Sequence, residues 1–299
     1  MDIMILVMVI LKCGKRDKMK YKLGIIGYPL GHSISPVIQK AGLQSVGLDA
    51  DYDVLETSAE DLLERLKYLR FNGYHGFNVT IPHKIPISFF VNDMDEYSNI
   101  AGCINTVKIT GEHKELIGYN TDIYGFKTAI PADVNLIGKR VCILGTGGAA
   151  RAAAVGLVEK GVSAIDFYCR NLINAQNTIN YLRDKFTKVT FEVHQIQNII
   201  SFPEPAMIVN ATPIGMKGYA ADEKPISDMV LQSLDKSTVI YDIVYNPLTT
   251  ELLKSAQKHG LRTIEGLDML LYQAQRAIQI WTDKTPDVRD MKIAALRSL

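Results

Sequence analysis

The chain has 299 residues, which is enough for two domains of ordinary size. Hydrophobic residues make up 47% and charged residues 22%, a composition typical of globular rather than disordered proteins. Lys and Arg number 33 against 32 Asp and Glu, a formal net charge of +1, so we expect neither nucleic acid nor an acidic membrane surface as a partner.

The cysteines show neither the spacing of a zinc site nor that of a disulfide framework. They are Cys13, Cys103, Cys142 and Cys169. We therefore expect no metal, and a reducing compartment, the cytoplasm, as the location.

The first residues form a segment of their own. An unbroken apolar run, Ile3–Leu11, precedes a basic cluster. The run is shorter than the ~20 residues needed to span a bilayer, and Asp2 stands where a signal peptide would carry positive charge. We interpret residues 1–20 as an N-terminal extension, or Met19 as the working start. Membrane attachment is the alternative.

From Lys22 the pattern indicates alternating strands and helices. Leu23–Gly27 is an apolar strand. Ser35-Pro36 predicts a helix capped by Ser35 and ending near Gly47, because serine favours the N-cap and glycine the C-terminal stop. The following predictions are strands at Tyr52–Leu55 and Gly76–Thr80, a helix at Ala59–Tyr68, and a hairpin of Cys103–Ile109 and Leu116–Tyr119 around Gly111.

After about Asp122 strands and helices alternate regularly. Val141–Gly145 is predicted as a buried strand that leads through a glycine-rich loop into a helix over Arg151–Lys160. Further strands are predicted at Ala164–Cys169, Met207–Asn210, Thr238–Val244 and Arg262–Ile264, and further helices at Asn174–Phe186 and Met269–Trp281. This alternation predicts an α/β fold with a parallel, doubly wound sheet.

The glycine-rich loop fits the dinucleotide pattern G-x-G-x-x-G/A. Gly145 permits the tight turn, Gly147 lets the backbone approach a pyrophosphate, and the small Ala150 lets helix and strand pack closely. The residues predicted to bind the pyrophosphate are Gly145, Thr146, Gly147, Gly148 and Ala149.

The end of the next strand indicates the type of dinucleotide. An NAD site has an acidic residue there for the ribose 2′-hydroxyl, but Asp166 lies inside the strand. Arg170 and Asn171 stand at the tip, and an arginine suits a 2′-phosphate. We therefore expect NADP; the alternative is a solvated surface arginine.

Three further segments carry polar residues beside strand ends. Ser33 and Ser35 adjoin a helix N-terminus and could seat a carboxylate, although Ser35 could equally be only a helix cap. Lys84 follows an apolar strand, where it could be partly desolvated and act as an acid or base, although most loop lysines are solvated. Asn105 and Asp122 lie near turns, where such residues are usually backbone caps.

Taken together and in this order, the motifs resemble the shikimate dehydrogenase family. The resemblance extends from about Lys22 to the C-terminus. The motifs are S-x-S-P at Ser33, N-V-T-x-P-x-K at Asn78, I-N-T at Ile104, N-T-D at Asn120, the glycine loop, N-A-T-P-x-G-M at Asn210 and G-L-x-M-L-x-x-Q at Gly266.

The resemblance implies an oxidoreductase that interconverts 3-dehydroshikimate and shikimate with NADP, in the biosynthesis of chorismate and the aromatic amino acids. Lys84 and Asp122 would be the catalytic pair. Ser33 and Ser35 would hold the substrate carboxylate, Thr80, Asn105, Asp122 and Gln273 the ring hydroxyls, Tyr245 would lie near the substrate, and Ile243 and Gly266 near the nicotinamide.

The resemblance also implies a domain order. A substrate-binding domain at 21–122, completed by C-terminal helices at 268–299, would flank a Rossmann NADP-binding domain at 123–267, in a monomer or homodimer. Asn174 replaces a second arginine that is common in the family, which would weaken selectivity for NADP over NAD. A quinate-using relative and a non-catalytic NADP-binding module are the alternative functions. The S-x-S-P carboxylate seat argues against a folate-pathway dehydrogenase.

Overall fold

A computed structural model describes residues 20–31 and 33–299. The predicted extension 1–20 therefore lies outside the described residues, apart from Lys20. The described part of the chain forms two separate β-sheets with helices packed on both faces of each, and none of its helices has the length and apolar character that crossing a membrane requires.

The first sheet is mixed. Its strands are β1 (Tyr21–Gly27), β2 (Ala50–Glu56), β3 (Gly76–Val79), β4 (Asp93–Met94), β5 (Thr106–Thr110) and β6 (Glu115–Tyr119), in the order β2-β1-β3-β5-β6-β4. β1 is parallel to β2 and β3, and β5 is antiparallel to β3 and β6, so the predicted hairpin is confirmed. The helices of this region are α1 (Ser35–Ser45), α2 (Leu62–Phe71) and α3 (Glu96–Ala101).

The second sheet is entirely parallel. Its strands are β7 (Arg140–Leu144), β8 (Ala164–Cys169), β9 (Thr190–Gln195), β10 (Met207–Asn210), β11 (Val239–Asp242) and β12 (Arg262–Ile264), in the order β12-β11-β10-β7-β8-β9. The chain continues through α4 (Thr121–Ala129), α5 (Gly148–Glu159), α6 (Leu172–Lys185), α7 (Asp228–Ser233), α8 (Glu251–Lys258), α9 (Gly266–Thr282) and α10 (Val288–Leu296).

Both faces of the second sheet are covered, which confirms the doubly wound prediction. Apolar residues of α5 and α6 pack with Ile143 and Phe167 on one face. Those of α7 and α8 pack with Leu144 and Ile208 on the other. At the carboxyl edge of such a sheet the loops that follow the strands form the ligand crevice.

Helices α4 and α9 connect the two halves. α4 follows β6 of the first sheet directly, yet its Phe126 is fully buried in the core of the second sheet. α9 starts after β12 of the second sheet and packs its Leu271 and Trp281 into the core of the first. The two helices also pack along each other, so residues on α4 and α9 meet between the sheets.

Some predicted element starts are wrong. Ile34, not Ser35, is the N-cap of α1. The Ser35 amide donates to Ser33 Oγ at 3.3 Å. α2 begins at Leu62 rather than Ala59, and α5 begins at Gly148 because the glycine loop itself supplies the first helical turn. The elements β4, β9, α3, α4, α7 and α8 are not among the predictions, and α10 falls within the C-terminal helices predicted at 268–299.

Candidate active site

Lys84 and Asp122 form a close ion pair between the two halves of the molecule. Lys84 lies in the segment after β3, and Asp122 lies in the first turn of α4. The distance from Lys84 Nζ to Asp122 Oδ2 is 2.6 Å, and the side chains are only 18% and 6% exposed. The simpler interpretations, a solvated lysine and a capping aspartate, are therefore wrong. Asn120 caps α4, accepting a hydrogen bond from the Ile123 amide.

Asn105 holds the other oxygen of the same carboxylate. Its Nδ2 donates to Asp122 Oδ1 at 2.7 Å, and also approaches Thr121 Oγ1 at 2.8 Å and Gln273 Oε1 at 3.3 Å. Its Oδ1 accepts the Thr121 amide at 2.7 Å. Asp122 therefore has both carboxylate oxygens bonded, which fixes the direction from which Lys84 approaches.

A second layer of buried polar groups supports Asn105. Asn78 Nδ2 donates to Thr106 Oγ1 at 3.0 Å and to the Asn105 carbonyl at 3.3 Å. Asn78 Oδ1 accepts from Tyr52 at 2.7 Å and from Gln39 at 3.0 Å. Our site prediction omitted Asn78, although it opens the N-V-T segment. A buried amide in an otherwise apolar strand was the available signal, because such groups need partners.

The serine segment and Tyr245 come together at the start of α1. Ser33 and Ser35 are half-buried, and Ser33 Oγ accepts only the Ser35 amide among the hydrogen bonds of the described residues. Burial raises the pKa of Tyr245, and hydrogen bonding to the Ile34 backbone acts in the opposite direction. Thr80, half-buried at the end of β3, donates its amide to the Ile26 carbonyl and leads towards Lys84.

The glycine loop has the geometry that a pyrophosphate requires. Gly145 has φ +101°, which favours glycine, and its amide donates to the Tyr168 carbonyl. Gly147 is the N-cap of α5, and a Cβ added there would meet no atom within 4 Å. The loop thus faces open space with the helix N-terminus behind it, which fits an anionic phosphate group. Ala150 is fully buried, as the third position of the pattern requires.

Lys84 and the glycine loop are in direct contact. A Cβ placed on Gly148 would lie 3.1 Å from Lys84 Cβ and 3.2 Å from Lys84 Cδ. Cys103 Sγ also lies 3.6 Å from the Gly148 carbonyl oxygen. The cofactor loop of the second half therefore borders the ion pair. Thr146 and Ala149 are half-buried members of this loop.

The end of β8 carries a cation and no available acid. Arg170 and Asn171 are both exposed. Asp166 is fully buried, and both of its carboxylate oxygens bind Arg140 Nη1, at 2.6 and 2.8 Å. Asp166 is therefore unable to reach a ribose hydroxyl. The side chain of Asn174 lies outside the described part of the chain.

Ile243 and Gly266 lie against each other. A Cβ placed on Gly266 would be 2.2 Å from the Ile243 carbonyl oxygen, so any larger residue would push the backbones apart. Gly266 is the first residue of α9, which carries Gln273 into the network around Asn105. The backbone after β11 is thereby linked to the ion pair through a single helix.

The comparisons with known proteins all point to one family, at both ends of the chain and over most of its length. Residues 25–107 match the family model of the shikimate dehydrogenase substrate binding domain, and residues 266–296 match that of the shikimate 5'-dehydrogenase C-terminal domain. The shikimate dehydrogenase (NADP(+)) of Methanococcus maripaludis is 38% identical over 273 residues, covering 91% of this chain and 95% of that protein.

Solved structures give the same result. A shikimate dehydrogenase in complex with NADP+ is 34% identical with a TM-score of 0.84, covering 93% of this chain and 95% of the other. The quinate dehydrogenase from Corynebacterium glutamicum in complex with NAD is 28% identical with a TM-score of 0.82, covering 93% of this chain and 99% of the other. On its sequence, its fold and these matches, the chain belongs to the shikimate dehydrogenase family.

Proposed function

We propose that Lys84 and Asp122 are the catalytic pair of an NADP-dependent shikimate dehydrogenase. The protein is an oxidoreductase that interconverts 3-dehydroshikimate and shikimate. The observation that carries the proposal is the partly buried ion pair of 2.6 Å beside the glycine loop. It brings a proton donor to the place where a nicotinamide bound at that loop would meet its substrate.

A reduced cofactor held by the glycine loop would supply the hydride chemistry for reducing the ring ketone carbon. In that direction the Lys84 ammonium donates a hydrogen bond and then a proton to the oxygen that becomes a hydroxyl; in reverse, neutral Lys84 accepts the proton. Asp122 orients Lys84 through Oδ2 and is itself held by Asn105 through Oδ1. The pair thus needs little reorganisation when the proton moves.

The remaining assignments follow the same resemblance. Thr80, Asn105, Asp122 and Gln273 bind ring hydroxyls, and three of these four already share one network around Asn105. Ser33 and Ser35 seat the carboxylate, with Tyr245 beside them. Residues Gly145 to Ala149 bind the pyrophosphate, Arg170 and Asn171 the 2′-phosphate end, and Ile243 and Gly266 border the nicotinamide.

The proposal includes the domain division and the setting. Residues 21–122 with 268–299 form the substrate-binding domain, and 123–267 form the NADP-binding domain, in a monomer or homodimer located in the cytoplasm. The even charge balance supports a small-molecule substrate rather than nucleic acid.

The overall function is tested by an absorbance assay at 340 nm. Shikimate and quinate are each offered with NADP and with NAD. We expect the highest kcat/KM for shikimate with NADP. A higher kcat/KM for quinate than for shikimate would indicate a quinate-using member of the family. NADP binding without turnover of either polyol would indicate the non-catalytic binding module and would contradict the proposal.

The role of Lys84 is tested by Lys84→Ala. Proton-transfer assistance of this kind is worth roughly 10²–10⁴-fold, so we expect kcat to fall by about that factor while NADPH binding stays near wild type. Lys67→Ala is the control, because Lys67 is an exposed lysine on α2 whose ion pair within the described residues is with the neighbouring Glu64. Wild-type kcat in a folded Lys84→Ala protein would remove Lys84 from catalysis.

A further inference from the structure

Asn210 and Asp242 form a buried pair at the carboxyl edge of the second sheet. They are the last residues of β10 and β11, lie opposite each other in the parallel pairing, and are both fully buried. Asn210 Nδ2 donates to Asp242 Oδ1 at 2.9 Å. On its other side Asn210 lies opposite Leu144, directly before the glycine loop. The pair therefore sits at the centre of the cofactor edge, but neither residue belongs to the proposed site.

Asn210 organises the loop that follows its own strand. Its Oδ1 accepts hydrogen bonds from the Thr212 amide at 3.1 Å and the Thr212 hydroxyl at 2.6 Å. Its Nδ2 also donates to the Ile214 carbonyl at 3.1 Å. One side chain thus fixes the loop 211–216, and the Ala211 carbonyl oxygen of this loop would lie 3.1 Å from a Cβ on Gly145.

Asp242 organises the next loop in the same manner. Its Oδ1 accepts the Val244 amide at 3.0 Å, and its Oδ2 accepts the Thr250 hydroxyl at 2.6 Å. Thr250 is also the N-cap of α8, accepting the Leu253 amide. The carboxylate therefore ties both ends of the loop 243–250 to the sheet.

The two loops meet each other and the start of α9. A Cβ on Gly215 would lie 3.4 Å from Thr250 Cβ, and the Lys217 amide donates to the Asn246 carbonyl at 2.8 Å. The Ile243 amide donates to the Asn210 carbonyl at 3.0 Å, and the Ile243 carbonyl abuts Gly266. A shift at Asp242 would therefore move Ile243 and the backbone that it contacts.

We propose that Asn210 and Asp242 form a positioning unit that sets the loops 211–216 and 243–250 around the nicotinamide end of the cofactor. The proposal rests on the proposed dehydrogenase function and adds residues that act through the backbone. Both side chains are fully buried, so they act on the loops through hydrogen bonds and not by touching the cofactor themselves.

The chemistry of Asp242 explains why a carboxylate stands there. Its oxygens accept three hydrogen bonds, and an ionised carboxylate is an acceptor only. Burial raises the pKa of the Asp242 carboxyl to about 6, and the three hydrogen bonds act in the opposite direction. Burying a carboxylate costs free energy, so the presence of Asp242 at this buried position suits a role in positioning the two loops.

Two substitutions break the same link from opposite sides. Asp242→Asn replaces one carboxylate oxygen by an NH2 group, which donates hydrogen bonds and cannot accept them as the oxygen does. Thr250→Val removes the Thr250 hydroxyl while keeping the shape of the side chain. Thr250→Ser restores the hydroxyl. Ser227→Ala is the matched control, because Ser227 caps α7 as Thr250 caps α8 but bonds neither loop.

We expect kcat to fall about 10- to 100-fold in Asp242→Asn and Thr250→Val, as a misplaced reacting group requires, with little change in KM for shikimate. Thr250→Ser should recover most of the loss, and Ser227→Ala should keep wild-type kcat. Wild-type kcat in both link variants, or an equal loss in Ser227→Ala, would overturn the proposal. Thr250→Val carries the test if Asp242→Asn fails to fold.

A second measurement needs no substrate. The fluorescence of bound NADPH reports the surroundings of its dihydronicotinamide, and we expect it to change in both link variants and to stay unchanged in Ser227→Ala. Identical fluorescence in wild type and both link variants would contradict the positioning unit. Absence of shikimate oxidation by the wild-type protein would count against the proposed function alone.

Discussion

Arg170 is exposed at the end of β8, while the acid in that strand, Asp166, is buried against Arg140. A dinucleotide bound at the glycine loop would bring its adenosine ribose towards this strand end. A 2′-phosphate there would gain a charge-assisted bond from Arg170, whereas a 2′-hydroxyl would find no nearby carboxylate. We therefore expect selectivity for NADP to depend on attraction by Arg170.

The first residue-scale prediction concerns Arg170→Ser. Losing a hydrogen bond to a charged group costs about 1.5–3 kcal/mol, so we expect kcat/KM for NADP to fall roughly 10- to 100-fold. The value for NAD should barely change, because NAD lacks the phosphate. Arg297→Ser, at an exposed arginine after α10, is the control. An equal fall in kcat/KM with both cofactors would show that Arg170 does not bind the 2′-phosphate.

The types and order of the residues were enough to predict the Lys84–Asp122 pair, but not the buried Asn210–Asp242 pair. Lys84 and Asp122 stand in motifs, so their meeting could be expected before their distance was known. Asp242 lies in an apolar run, and a single acidic residue at the end of a strand gives no indication of its role. Its role depends on the pairing of β10 with β11, which joins positions 32 residues apart in the chain. Such a contact has no local signature.

At the scale of elements, the crossing of α4 and α9 brings Asp122 and Gln273 together. The helices approach closely at Gly125, where a Cβ would lie 2.6 Å from the Met269 carbonyl oxygen and 2.9 Å from Gln273 Cβ. Glycine is therefore required by this approach rather than by its backbone angles. The sequence did not predict α4, because its first residues, Thr121 and Asp122, were interpreted as part of a turn.

Gly125→Ala should separate the two helices. Overpacking of this kind typically costs about 1–3 kcal/mol, and it should also raise KM for shikimate because Gln273 moves away from Asn105. Thr128→Ala is the control, an exposed position on the same helix. Urea denaturation and steady-state kinetics measure the two effects. A stability loss without any change in KM would mean that the helix spacing does not set the position of Gln273.

At the scale of the whole molecule, the core of the second sheet includes residues from the chain around the first. Phe126, on the helix α4 that crosses the proposed domain boundary at residue 122, stacks on Tyr241 of β11, with ring centroids 4.9 Å apart and planes inclined by 10°. Cys103 and Ala101 belong to the same buried cluster. A second, partly buried contact joins the two halves where Arg151 Nη1 approaches the Gly102 carbonyl at 3.5 Å, while Arg151 Nη2 donates to Thr178 within the second half. We therefore expect the two halves to fold and unfold as one unit.

Local patterns predicted both sheets in outline but not this joint. Strand periodicity and glycine spacing describe one segment at a time, and they identified most strands of both sheets to within a few residues. The contact between the halves consists of apolar residues from α4 and β11, and in the sequence these residues resemble ordinary core residues. Which core they enter is decided by the crossing of α4 and α9, a property of the assembled chain.

Phe126→Leu tests whether the halves unfold together. The substitution removes about three buried carbons, a loss of about 2 kcal/mol at ~0.8 kcal/mol per carbon. The single tryptophan, Trp281, lies in the core of the first sheet and donates to the Val107 carbonyl, so its fluorescence reports that half. Because the joint is shared, we expect the urea midpoint seen by Trp281 to fall by the same amount as the midpoint seen by circular dichroism. Thr128→Ala should move neither midpoint, and a Trp281 transition that stays at its wild-type midpoint while the circular dichroism transition shifts would show that the halves unfold separately.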